Sequence, residues 1–399
     1  MAVTFKKRLA KKWKLITASK YTKLFILTSI LQFIIIIIFQ TLLLNRNLKL
    51  TNAWTIRNYT TSSNLGFKDK CSDYYERELP RFPFIHFDNI NLIFFQAFQL
   101  YFCFNAVFNE HSIQSIATTI LNITWALYGI GQAYEVYFTI KDIKSLSECV
   151  IEEQIPDETL IEEIETYHNT VIVEDIACVI LLLLFAIAMA CISYKLHQQF
   201  GWNNYKKIGG DPRLQTAYKN YLTFLMLLKL NLSSILLFII PTIFLTWFDS
   251  KYTNSTIHDI LIFHFVTTIS MPFLEIIAYK SAAKENKIGM IMFLASWLIV
   301  TADLVMLFIG LTIKLRSFNS FWYSGIILII SLFTNCVLLI IFGIKVYKNF
   351  GCGVNKFIER LDGTLSPTLS LPTVSLNNIW NRSGKEELDA VNGRWTIDD

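Results

Sequence analysis

Long apolar runs alternate with short polar segments along this chain, and the alternation repeats eight times. The runs are Leu24–Leu44, Leu92–Phe108, Ile113–Tyr134, Val171–Tyr194, Tyr221–Trp247, Ile260–Ala278, Ile288–Thr312 and Phe321–Gly343. A helix needs roughly 20 mostly apolar residues to cross a hydrocarbon core about 30 Å thick. Backbone amides inside lipid must find their partners within the same helix. The pattern therefore predicts an all-α fold: a polytopic transmembrane helix bundle of about eight spans. The second run is the weakest, because Gln96, Gln99 and Asn105 interrupt it. Those side chains predict a helix that faces other helices rather than lipid. The first run is longer than the apolar region of a signal peptide, and no small-x-small site follows it, so it reads as a retained helix.

Charge sets the direction of the spans. Residues 1–23 form a basic segment with eight Lys and Arg, which predicts a cytoplasmic N-terminus. With eight crossings, 23 of the 36 Lys and Arg fall on the cytoplasmic side and 12 on the other, with Lys229 inside a span. The expected organisation is a cytoplasmic segment 1–23, a transmembrane domain 24–343 and a flexible cytoplasmic tail 344–399. Within the domain, 45–91 and 135–170 are lumenal loops, and 195–220 is a cytoplasmic loop. The chain is 53% hydrophobic and only 17% charged, with a mean hydropathy of +0.42. That excludes disorder, collagen and a disulfide-rich secreted scaffold. A net charge of +5 distributed in this topological way gives no sign of a nucleic-acid partner.

The polar segments carry weaker signals. Twelve acidic residues lie within Glu135–Asp175, against Lys141 and Lys144. Pro156-Asp157 is a helix-start signal, followed by Leu160, Ile161 and Ile164 at helical spacing. The stretch reads either as a surface for cations or basic partners or as a solvated helix poor in cations. Asn58 and Asn254 head N-glycosylation triplets in non-cytoplasmic loops. Cys71 and Cys149 fall on the same side, where a disulfide can persist. Cys103, Cys178, Cys191 and Cys336 lie in spans, where they read as small core residues. Residues 361–399 are rich in Ser, Thr and Pro, with too little apolar content to fold alone.

Three ionisable residues lie inside spans, where each costs about 2.5–3.5 kcal/mol at mid-helix on insertion scales. Lys229 and Glu275 have similar expected depth on sequential helices, so an ion pair between them is geometrically reasonable. Asp303 lies near the middle of its span, with Thr301 and Asn335 as candidate partners. Each reads either as part of a solute or proton path or as a clamp between helices. Pro241 and Pro272 are the only prolines within spans, and the two halves show no clear sequence repeat. The six histidines form no His-x-x-x-His pair, and no phosphate loop, Gly-x-Ser-x-Gly or Gly-x-Gly-x-x-Gly occurs. Nothing here implies a metal, a cofactor or enzymatic chemistry.

Several segments resemble an uncharacterised family of fungal multi-pass membrane proteins of the Golgi apparatus. They are Asn105-Ala106-Val107-Phe108 with His111-Ser112-Ile113-Gln114, then Tyr128, Gln132 and Glu135. The most specific is Gly201-Trp202, Tyr205-Lys206-Lys207-Ile208-Gly209 and Asp211, leading to Lys229-Leu230-Asn231. Lys284-Glu285-Asn286 and Asn349-Phe350-Gly351 add to it. The family carries an aspartate where this chain has Asn231, which removes a charge pair with Lys229. The resemblance covers roughly residues 88–360 and implies a Golgi membrane location and a multi-pass topology, with no activity attached.

The expectation is thus a non-enzymatic Golgi membrane protein acting in trafficking or membrane organisation. The lipid bilayer is its first partner. Residues 200–220, basic and aromatic beside the membrane, and the tail are candidate contacts for anionic lipids or trafficking proteins. The alternative is a small-solute or ion transporter using Asp303, Lys229 and Glu275. Both termini are expected in the cytosol, so tags at either end should be reached by antibody once the plasma membrane alone is permeabilised. Protection of one tag would overturn the topology.

Overall fold

The computed structural model describes the backbone at residue 13 and over 15–61, 81–152, 158–208, 212–249, 255–317 and 323–355. Side chains are described over 15–49, 85–141, 173–202, 212–234, 262–309 and 323–355, and at residue 13. The chain divides into two units, Met1–Cys352 and Gly353–Asp399; only residues 353–355 of the second are described.

Eight helices follow one another among the described residues: α1 (Lys20–Thr61), α2 (Arg81–Phe108), α3 (Ser112–Glu152), α4 (Glu158–Ile208), α5 (Pro212–Asp249), α6 (Ser255–Ala283), α7 (Lys287–Ser317) and α8 (Tyr323–Lys348). Local chemistry marks their ends. Ser19 and Thr22 form a reciprocal capping box at the start of α1, each side chain meeting the other's backbone N–H at 3.1 Å. Pro212 opens α5, where its missing N–H costs nothing. Asn286 caps α7 by accepting from the N–H groups of Ile288 and Gly289. The predicted start after Pro156-Asp157 is met by α4 at Glu158.

The helices overrun the expected loops. α3 has 41 residues and α4 has 51, so at 1.5 Å per residue they are roughly 60 and 75 Å long, twice the hydrocarbon thickness. Most of the supposed loop 135–170 is the continuation of these two helices. α1 likewise runs on to Thr61, and α4 carries through the expected cytoplasmic loop to Ile208.

The packing order is a finding that no sequence repeat announced. α1, α2, α3 and α4 form a closed circuit, each helix against the next and α4 back against α1. α5, α6, α7 and α8 close in the same order. The matching hairpins α2–α3 and α6–α7 even turn alike. Glu110 (φ 51°) and Glu285 (φ 53°) take the left-handed conformation. The next N–H, of His111 or Asn286, then reaches back 2.9 Å to the carbonyl of Ala106 or Ser281.

Among the described residues, six helices carry stretches long and apolar enough to cross a membrane: α1, α2, α4, α6, α7 and α8. The protein is a multi-pass helical membrane protein. α3 falls outside this set for an identifiable reason, and the apolar second half of α5, from residue 235 on, lies outside the residues whose side chains are described. α3 is polar on its inner side, with Thr118, Asn122, Gln132 and Glu135 buried. Its outer stripe is apolar: Ile116, Ile120, Ile123, Leu127, Ile130 and Tyr134 are exposed, three or four residues apart. That inverted amphipathicity suits a helix with protein behind it and lipid in front. α5 touches α2, α3, α4, α6 and α8.

The two circuits meet chiefly through α3 and α8. A Cβ on Gly131 would stand 3.1 Å from the Ser324 nitrogen and 3.3 Å from its Cα, so the helices approach closely because α3 has no side chain there. Beside it, the Ser324 N–H donates to Glu135 Oε1 at 2.6 Å. The Ser324 hydroxyl oxygen lies 2.8 Å from Asp88 Oδ2 and 2.9 Å from Glu135 Oε1. Tyr128 donates to Asp88 Oδ1 at 2.6 Å. The hydroxyl of Ser324 has one hydrogen for two carboxyls, so these short contacts are complete when one carboxyl carries a proton of its own. Below this node Leu92, Phe95, Trp125, Tyr128, Leu307, Leu328 and Ile329 pack as one cluster drawn from α2, α3, α7 and α8, with Phe95 stacked on Trp125 at 4.0 Å. Gly131→Val should lower stability by about 1–3 kcal/mol through overpacking. Gly201→Ala, where a Cβ meets nothing within 4 Å, should be neutral or stabilising. Thermal unfolding of the detergent-solubilised protein reads both.

Candidate functional site

The intramembrane ionisable groups form the candidate site, and Asp303 on α7 is buried within it, at 1% exposure. Its partner is His264 on α6, with Nδ1 2.7 Å from Asp303 Oδ2. Thr267 donates to the same carboxylate oxygen at 2.6 Å. Thr268 lies 3.3 Å from His264 Nε2 and donates to the His264 carbonyl at 2.7 Å. Asp303 Oδ1 is buried without a hydrogen-bond partner among the described residues. This corrects the expected partners: Thr301 bonds the Trp297 carbonyl, and Asn335 lies on another contact. The physical reason is facing. α6 and α7 pack on each other, and His264, Thr267, Thr268, Met271 and Glu275 follow one another at three- and four-residue steps along the inner stripe of α6. That stripe was the signal in the sequence that would have found His264. Chemically, the imidazole and carboxyl can hold a proton between them across 2.7 Å without a change of rotamer.

The second group corrects the expected Lys229–Glu275 ion pair. Glu275 Oε1 accepts instead from the Asn231 amide at 2.7 Å. Asn335 on α8 reaches Asn231 Oδ1 at 3.4 Å and the Leu227 carbonyl at 3.5 Å. α5, α6 and α8 are thereby joined by one polar chain. Residues 229 and 231 are two apart, about 200° around a helix, so when Asn231 faces α6 Lys229 must face away from it. Lys229 is half-buried and has neither an ion pair nor a hydrogen bond among the described residues. It turns toward a recess shared with His111 and Gln114.

Other expectations resolve unevenly. Gln96 and Gln99 are buried, and Asn105 donates to Gln114 at 3.1 Å, so the polar residues of α2 do face other helices. Gln99 exchanges hydrogen bonds with Gln32 of α1, at 2.9 and 3.3 Å. Gln32 also donates to Asn122 of α3 at 2.8 Å. Cys103, Cys178 and Cys336 are buried, whereas Cys191 is exposed on the outer surface of α4. Asn254 and Cys71 lie outside the described residues, as do the side chains of Asn58 and Cys149. Among the described residues no group of three His, Cys, Asp or Glu is arranged to hold a metal. Compared with known proteins, the chain matches no family model, no curated protein and no solved structure.

Double-mutant cycles separate the observed pairing from the expected one. Asn231→Ala with Glu275→Ala should show coupling of about 0.5–3 kcal/mol, whereas Lys229→Ala with Glu275→Ala should add within about 0.5 kcal/mol. Thermal unfolding in detergent measures both.

Proposed function

We propose that this is a multi-pass membrane protein of the Golgi apparatus that acts without catalysis, in trafficking or membrane organisation. The observation that carries the reading is how the intramembrane polar groups are spent. Asp303, Glu275, Asp88 and Glu135 are all buried and hydrogen-bonded to neighbouring helices, which is the behaviour of clamps that fix a bundle. The Golgi location is supported by the resemblance of the segments around Asn105, Gly201 and Lys284. The membrane-side surface at the end of α4 and the start of α5 supports a contact role. Trp202 is 60% exposed, and Lys195, Arg213 and Lys219 are exposed around it, a composition suited to anionic headgroups or an acidic partner. Asn58 and Asn254 would be its lumenal glycosylation sites.

A second reading, transport of a small solute or ion, is favoured by one observation. Two four-helix circuits close in the same order, as in transporters built from parallel repeats, and one of them holds a His–Asp pair in its interior.

The test combines location with flux. The tagged chain should colocalise with Golgi membranes, and Asp303→Asn should leave its abundance, location and proximity-labelled neighbours unchanged. Purified protein in liposomes should carry no proton current above that of empty liposomes. A current that Asp303→Asn abolishes would reverse the order of the two readings.

A further inference from the structure

Among the described residues, Lys229 is an intramembrane charge with neither an ion pair nor a hydrogen bond. Leu222, Leu225, Met226 and Lys229 repeat at three- and four-residue steps along one face of α5, opposite His111 and Gln114 at the α2–α3 turn. Between them lies a shallow, partly open recess of about 40 Å³. No carboxylate lines it. Glu275, the partner expected from depth along the spans, is bonded to Asn231 instead. Gln114 is already occupied, accepting from Asn105 and donating to the Phe102 carbonyl. An ammonium drawn partly out of water without a counter-charge is costly, and an anion in the recess would remove that cost.

Position and lining define the anion. The α2–α3 turn lies on the face that the charge pattern makes cytoplasmic, at the height where headgroup phosphates meet the hydrocarbon. Lysine snorkels to this level, with its methylenes along apolar surface and its ammonium toward the headgroups. The α5 side of the recess is apolar apart from that ammonium. Such walls suit a ligand with a charged head and a hydrocarbon body better than a small hydrated ion. We propose that this recess is a binding site for an anionic phospholipid of the cytoplasmic leaflet, its phosphate paired with Lys229 and its glycerol and upper chain against Leu222, Leu225 and Met226. The site is separate from the basic segment that follows α4. It rests on the multi-pass architecture and the orientation, and not on the Golgi location or on either proposed activity.

Native mass spectrometry of the full-length protein in detergent tests it, with short-chain phosphatidic acid, phosphatidylcholine of equal chain length and inorganic phosphate as probes. The wild type should retain phosphatidic acid in preference to phosphatidylcholine. Lys229→Gln should weaken phosphatidic acid roughly fivefold or more, on the scale of about 1 kcal/mol per lysine near an anionic surface. Lys229→Arg should keep most of the binding, and Lys287→Gln, at an exposed lysine at the start of α7, should keep all of it. Should Lys229→Gln fail to fold, Leu225→Glu sets a carboxylate on the α5 wall of the recess and should remove the preference by repulsion. Equal retention of phosphatidic acid by wild type and Lys229→Gln, or by wild type and Leu225→Glu, would overturn the site. Displacement of the lipid by inorganic phosphate at matched concentration would overturn the lipid assignment in favour of a free anion.

Discussion

Inside a bilayer a polar side chain has no water to fall back on, so each one either finds a partner on a neighbouring helix or leaves its cost unrecovered. Most of what distinguishes this bundle follows from that constraint. Apolar surfaces hold helices together only loosely in lipid, since hydrocarbon is as good a neighbour as leucine. The directional contacts are the polar ones. Gln32, Gln99 and Asn122 tie α1, α2 and α3. Asn231, Glu275 and Asn335 tie α5, α6 and α8. His264 and Asp303 tie α6 to α7. Each contact selects one register of its helices, because a one-residue rotation of about 100° would carry the amide or carboxyl out of reach.

The junction between the two circuits uses the same device at its most demanding. Two carboxyls, a tyrosine hydroxyl and a serine that offers both its N–H and its hydroxyl converge where Gly131 lets α3 and α8 approach. The aromatic and aliphatic cluster around Phe95 and Trp125 then packs beneath it. The junction therefore combines close packing with a buried hydrogen-bond network. Ordered circuits joined at one seam could act as a rigid scaffold or could rock against each other. The extent of buried hydrogen bonding across the seam favours the rigid behaviour that the proposed role requires.

Against this background the groups differ in what they offer. Asp303, Glu275, Asp88 and Glu135 are closed off by their partners. Lys229 faces a recess lined on the α5 side by leucine and methionine. The proposed contacts at the membrane surface thus have two footholds, the basic and aromatic segment around Trp202 and the lysine recess beside the α2–α3 turn. They are near the same predicted face, and α5 contributes to both.

The sequence by itself determined the class of the protein, because twenty-residue apolar runs have one physical solution in lipid. It also determined that the glutamines of α2 face protein, since such groups do not face hydrocarbon. It placed the start of α4 at Glu158, because Pro156-Asp157 is a local signal. What it left open was which buried polar groups meet. Depth along a span pointed to Lys229 as the partner of Glu275, but rotation about the helix decided for Asn231, and rotation is set by packing against all neighbours at once. For the same reason Asp303 chose His264 on the adjoining helix over Thr301 on its own. The length of α3 and α4 beyond the membrane, the paired four-helix circuits and the vacancy beside Lys229 depend on contacts between residues far apart in the chain, and only the tertiary structure decides those.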